Sequence, residues 1–136
     1  MVVLLDSAVV AGFLDREDAF HSAADARMRE LAGREQIVVS VITYAELLTG
    51  AGVGHHAETA VRGFFANLVD EIHDVDRVVA ERAARLRVAK ASLRMPDALI
   101  LATAELHDAA LVITADRRWV DVLAGRRIEL LEPASI

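Results

Sequence analysis

Val2-Val3-Leu4-Leu5-Asp6-Ser7 is the stretch on which the fold turns. Four apolar residues in a row, with no polar partner alternating between them, describe a strand buried on both faces. Such strands belong to parallel sheets with helices packed against each side. The run breaks at Asp-Ser, and Val9, Val10, Phe13 and Leu14 follow at helical spacing. A strand, a turn bearing a carboxylate and a helix therefore open the chain.

The same unit recurs along the sequence. A helix from about Asp18 to Leu31 carries Phe20, Ala24, Met28 and Leu31 at three- or four-residue spacing and stops at Gly33. Ile37-Val38-Val39 forms a second buried strand. Ser40 then caps a helix with Val41, Tyr44, Ala45 and Leu48, which ends at Gly50-Ala51-Gly52-Val53-Gly54. His55 to Leu68 fits another helix, Glu71 to Val75 a short third strand, and Arg77 to about Leu93 a further helix. Pro96 in a first turn, beside Asp97, opens the almost wholly apolar helix Ala98 to Leu106, whose all-round hydrophobicity predicts burial. Leu111-Val112-Ile113 makes a fourth strand, Asp116 starts a helix through Trp119, Val122 and Leu123, and Arg127 to Leu131 closes as a fifth strand. Alternating strands and helices predict an α/β three-layer sandwich around a central, mostly parallel sheet of about five strands. Right-handed crossovers restrict its topology, and ligands in such sheets bind beyond the carboxyl ends of the strands, where the strand order reverses.

With 136 residues, the chain reads as one domain spanning residues 1–136. Hydrophobic residues make up 54% of it and aromatic ones only 4%, so the core is aliphatic. It contains no cysteine, which excludes disulfides, zinc-thiolate sites, iron-sulfur clusters and thiol catalysis and suits a reducing cytoplasm. No apolar stretch reaches the roughly 18 to 20 residues that cross a bilayer, and the Val2–Leu5 run lacks the basic residues of a signal peptide, so no membrane association is expected. The net charge of −6 argues against a broad basic surface that wraps nucleic acid.

Four acids stand where a site belongs. Asp6 follows the first strand, Asp116 the fourth, Asp97 opens the apolar helix that leads into the fourth strand, and Glu46 lies about two turns into the helix after the second. Each Asp alone is an ordinary helix cap; it is their joint placement at strand ends that points to a site. Oxygen-only carboxylate sets suit hard cations such as Mg2+, with Mn2+ a possible substitute. Crowded carboxylates repel, and a divalent ion relieves them. Such an ion activates water near neutral pH and neutralises charge developing on a phosphate, which matches phosphodiester hydrolysis. Ser7, Thr43 and Thr114 offer accessory hydroxyls that could hold these carboxylates or a water.

The chain resembles the PIN-domain family, and within it the VapC-type toxins of prokaryotic type II toxin-antitoxin systems. The resemblance spans the whole chain and rests on Leu4-Leu5-Asp6-Ser7, on the segment Ser40 to Gly50 containing Glu46, on Pro96-Asp97-Ala98 through Ala104, and on Leu111 to Asp116. It implies that Asp6, Glu46, Asp97 and Asp116 are the metal-binding and catalytic carboxylates, with Ser7 and Thr114 accessory. It further implies Mg2+-dependent RNA cleavage, homodimerisation and an inhibiting antitoxin. Ser7 stands where many relatives have Thr.

Other features weigh less. Arg82, Arg85 and Arg94 concentrate positive charge after Arg77 and, with Arg117 and Arg118, offer possible RNA contacts; the plainer reading of the helical ones is a solvated face. His55 and His56, like the other histidines, fit no zinc signature and read as surface residues. Gly50 to Gly54 reads as a flexible loop, since it follows a helix and lacks dinucleotide spacing. Trp119 either stacks on a base or serves packing or a subunit contact, the plainer reading. A phosphoryl-accepting domain would need a well-placed lysine, and Lys90, the only one, is far from any strand end. A binding module that merely kept the fold would have lost carboxylates. The alternative within the nuclease class is a housekeeping RNA-processing or structure-specific DNA nuclease, though those commonly carry extensions that this sequence lacks.

Overall fold

The computed structural model describes residues 1–135. Its strands are β1 (Val2–Leu5), β2 (Gln36–Ser40), β3 (Glu71–His73), β4 (Leu111–Thr114) and β5 (Arg127–Leu130). Its helices are α1 (Ser7–Leu14), α2 (His21–Leu31), α3 (Val41–Gly52), α4 (Glu58–Asn67), α5 (Arg77–Ala89) and α6 (Met95–Leu106). The strands form a single sheet in the order β3-β2-β1-β4-β5. All four pairings are parallel, with Leu4 level with Val38 on one side and with Val112 on the other.

The unbroken apolar runs have the physical cause inferred from them. Successive side chains of a strand point to opposite faces. Val3 and Leu5 enter a core with Val9, Ala24, Met28, Val61 and Phe64, on the side of α1, α2 and α4. Leu4 enters a second core with Val79, Leu86, Ile100 and Leu101, on the side of α5 and α6. Ile37 and Val39 divide from Val38 in the same way, as do Leu111 and Ile113 from Val112. Each fully enclosed aliphatic side chain contributes about 1.5–3 kcal/mol, so both faces of β1 are held by burial. The α6 helix is buried along Ala98, Ile100, Leu101, Ala102 and Ala104, as its composition predicts.

From β1 the chain winds outward through β2 to β3, then crosses back to lay β4 against the other edge of β1. The order therefore reverses between β1 and β4. At that point the Asp6 N–H donates to the Ile113 carbonyl (3.0 Å), joining the two strand ends.

Several boundaries differ from the sequence reading. The helix expected from about Asp18 begins at His21, because Asp18 Oδ1 accepts the Phe20 N–H (2.8 Å) and Asp15 Oδ1 the Glu17 N–H (3.0 Å), turning the backbone first. The helix α3 continues through Gly50 to Gly52, and Gly54 (φ +87) makes the reversal, so α4 starts only at Glu58. The third strand ends at His73 and α5 at Ala89. In place of a helix after Asp116 there is a 3₁₀ turn, Arg117–Trp119. Trp119 is 1% exposed and packs in the second core, which settles it as a packing residue. No helix among the described residues is long and apolar enough to cross a membrane.

Candidate active site

The end of β1 and the start of α1 share Asp6, which is extended (φ −75, ψ 157) and caps the helix by accepting the Ser7 N–H at Oδ1 (2.7 Å). Its Oδ2 accepts the Thr114 hydroxyl (2.8 Å) from the end of β4. Thr114 Oγ1 in turn accepts the Asp116 N–H (3.0 Å), so one hydroxyl ties the acids of both strand ends. Glu46 lies on α3, and Ser7 Oγ donates to its Oε1 (2.7 Å) while lying 3.0 Å from the buried Thr43 hydroxyl. Asp97 sits in the first turn of α6 and is 9% exposed, with Arg94 Nε 3.5 Å from its Oδ2. Asp6, Glu46, Asp97 and Asp116 all line one open cavity of about 800 Å³ at the carboxyl ends of the strands.

The electrostatics are those of crowded acids. Burial, reinforced by the neighbouring charges of Asp97 and Glu46, pushes the Asp6 carboxyl up to about 7, against the lowering effect of the hydrogen bonds from Thr114 and Ser7. Asp116 moves the other way, because hydrogen bonds from the Arg118 guanidinium hold it below the usual carboxylate range. Arg118 grips it through Nε to Oδ1 (3.0 Å) and Nη2 to Oδ2 (2.7 Å), and its N–H also reaches Oδ1 (2.9 Å).

Among the described residues no three His, Asp or Glu side chains are already gathered as ligands of one ion. The hydrogen bonds explain this: Asp116 is turned onto Arg118 and Glu46 onto Ser7. The donor set nonetheless fits a hard divalent cation. It offers only oxygen, it converges on one cavity, and Asp6 feels the charges of two of its neighbours.

The five arginines separate into groups. Arg94 and Arg117 line the cavity, and Arg118 neighbours it through Asp116. Arg82 is instead paired through two nitrogens with Glu105, on the last turn of α6, about 12 Å along the helix from Asp97 at ~1.5 Å per residue. Arg85 is exposed on α5 and does not line the cavity. Packing of α5 along α6 carries these two away from the acids, so the basic helix does not face the site as a unit. His55 is exposed, as the sequence reading has it, and His56 is half-buried; both line the cavity with Gly50. The available signal was their position just after the turn that ends the Glu46 helix, but no spacing rule ties a turn to a pocket.

A parallel α/β sandwich with oxygen donors gathered at its switch point is the class that fold and site define. The PIN-domain family model matches residues 3–124, and the chain belongs to the PIN-domain family. Among solved structures it is similar to VapBC2 of Rickettsia felis bound to a promoter DNA fragment (TM-score 0.78, 19% identity, covering 97% of this chain and 100% of that one). It is also similar to a toxin-antitoxin complex from Klebsiella pneumoniae (TM-score 0.71, 27% identity, 98% and 99% covered). A third is VapC20 of Mycobacterium tuberculosis, a toxin that cleaves the sarcin-ricin loop (TM-score 0.76, 18% identity, 96% and 99% covered). No curated protein matches the chain by sequence.

Proposed function

We propose that the chain is a Mg2+-dependent endoribonuclease, the toxin of a toxin-antitoxin pair, that hydrolyses RNA phosphodiester bonds. The observation that carries this reading is the meeting of Asp6, Glu46, Asp97 and Asp116 in one cavity at the switch point. These four residues would hold the cation, Mn2+ serving as a substitute for Mg2+. When bound, the cation supplies Lewis acidity toward water and toward the phosphate.

The remaining work falls to the chain's own groups. Thr114 keeps Asp6 and Asp116 in fixed relation, and Ser7, with Thr43 behind it, orients Glu46. Arg94 and Arg117 supply positive charge at the mouth of an otherwise acidic cavity and draw the phosphate backbone toward it. An antitoxin partner is supported by the solved complexes that share the fold. Homodimerisation and a cytoplasmic setting complete the reading, on the strength of the family resemblance and the cysteine-free composition.

The test is cleavage of total cellular RNA by the purified, partner-free chain, with Mg2+, with Mn2+ and with chelator, beside the Asp6→Asn variant. Metal-dependent cutting at discrete places that the variant loses is the expected result. No cutting of RNA under either metal would overturn the ribonuclease assignment.

A further inference from the structure

The cavity has a wall that the carboxylates do not explain. His55 and His56 stand on the turn between α3 and α4, and both line the cavity alongside the acids. A glycine adjoins them. Gly50 lies four residues after Glu46, on the same face of α3 and one turn along, where neighbouring side chains sit about 5–6 Å apart. A Cβ at Gly50 would come within 3.1 Å of His56 Cδ2 and 3.9 Å of His55 Cβ. The His56 ring therefore packs on bare backbone, in the space that a side chain at position 50 would fill, beside the acid that Ser7 orients.

The turn that carries the pair is fixed. The His55 N–H donates to the Gly50 carbonyl (2.8 Å), the Gly54 N–H to that of Ala51 (3.2 Å), and Gly54 takes the positive φ that the reversal requires. Within this ordered turn, His56 Nδ1 is shut away from solvent and has no hydrogen-bond partner among the described residues. Any partner of the pair arrives instead through the open cavity that both residues line. Imidazole suits that partner if it is a nucleotide: its plane stacks on a base, its N–H donates to base edges or phosphate oxygens, and it adds no negative charge to a cavity already rich in it.

We propose that His55 and His56 form a nucleotide-binding wall of the cavity, which holds the base next to the scissile phosphate of single-stranded RNA by ring stacking and N–H donation. The proposal rests on the ribonuclease reading above and adds to it the residues that seat the strand.

The test uses the full chain in two forms. In an Asp6→Asn background with Mg2+, the affinity for a fluorescein-labelled single-stranded RNA of mixed sequence is read by anisotropy. In the active chain, KM and kcat are measured on the same RNA. His56→Ala is expected to weaken binding about tenfold and to raise KM by a similar factor with kcat little changed, the size and pattern of a lost stacking contact. His56→Phe, which keeps the stack, is expected to restore most of that loss. Gly50→Ala keeps the imidazole but presses a methyl group against it, and is expected to weaken binding while the melting temperature holds, since alanine favours the helix. Unchanged affinity and KM in all the variants would overturn the histidine wall and leave the nuclease intact. A fall in kcat with KM unchanged would likewise overturn it. Failure of the unaltered chain to bind or cut RNA would overturn both readings together.

Discussion

Removing the charge of Asp6 should stabilise this protein in the absence of metal, and by an amount that depends on pH. Asp6 is 7% exposed, and burial beside Asp97 and Glu46 raises its carboxyl from 3.8 to about 7. Between those values the folded chain keeps a proton that the unfolded chain releases. Stability from this group is therefore complete at low pH and is lost as pH rises through 7. A tenfold change in proton affinity is worth ~1.4 kcal/mol, so the ionised form costs roughly 4 kcal/mol well above pH 7, of which about 2–3 kcal/mol is lost between pH 5 and 8. Asn is isosteric, still accepts the Ser7 N–H and caps α1 as well as Asp does. Asp6→Asn should therefore exceed the unaltered chain by about 1–2 kcal/mol at pH 5 and by about 4 kcal/mol at pH 8, the gap widening with pH. Urea denaturation in chelator at pH 5, 6, 7 and 8 measures the gap directly. A gap that stays constant with pH, or a variant less stable at pH 8, would refute the account of Asp6 as a buried acid strained by its neighbours.

Three further outcomes follow from particular contacts. Arg118→Ala removes the guanidinium from both oxygens of Asp116, leaving Oδ1 only the backbone N–H at position 118, and should tighten Mg2+ binding by calorimetry on the order of fivefold, the worth of a partly exposed ion pair at ~1 kcal/mol; weaker binding would show that Arg118 supports the metal site instead of competing with it. Ser7→Ala removes the donor that orients Glu46 and should lower activity about 10- to 100-fold, the usual cost of losing a ligand's supporting hydrogen bond, with the metal-free melting temperature little changed. Arg82→Ala, which breaks the pair with Glu105 away from the cavity, should leave kcat/KM per folded molecule unchanged, whereas Arg94→Ala should raise KM and reduce its salt dependence; equal effects of the two would restore the basic helix as an RNA track.

The architecture was legible because burial writes itself into sequence. Val2 to Leu5, Ile37 to Val39 and Leu111 to Ile113 carry no alternation, since Val3 and Leu4 each meet a different helix layer, and that is what a covered parallel strand requires. The strand-end acids were legible for a related reason. Asp6 and Asp116 interrupt apolar runs at the one edge of such a sheet where polar groups can gather. Local hydrogen bonding was harder to read. Asp18 carries a cap-like residue type, yet its carboxylate turns the chain ahead of α2, and the helical pattern after Asp116 yields only a 3₁₀ turn.

What the sequence determined by itself was therefore whatever is set by a residue's own neighbours along the chain: strands, helices, their alternation, and the acids that end them. Only the tertiary structure decided which side chains share a cavity, because that depends on how layers pack. It carried Arg82 to Glu105 and away from the acids, turned Asp116 onto Arg118, and brought His55 and His56 to the wall beside Glu46 on a turn that reverses at Gly54 and packs the His56 ring against Gly50. Contacts of this kind span residues distant in sequence or turn on a few tenths of an ångström in packing, and no periodicity encodes them.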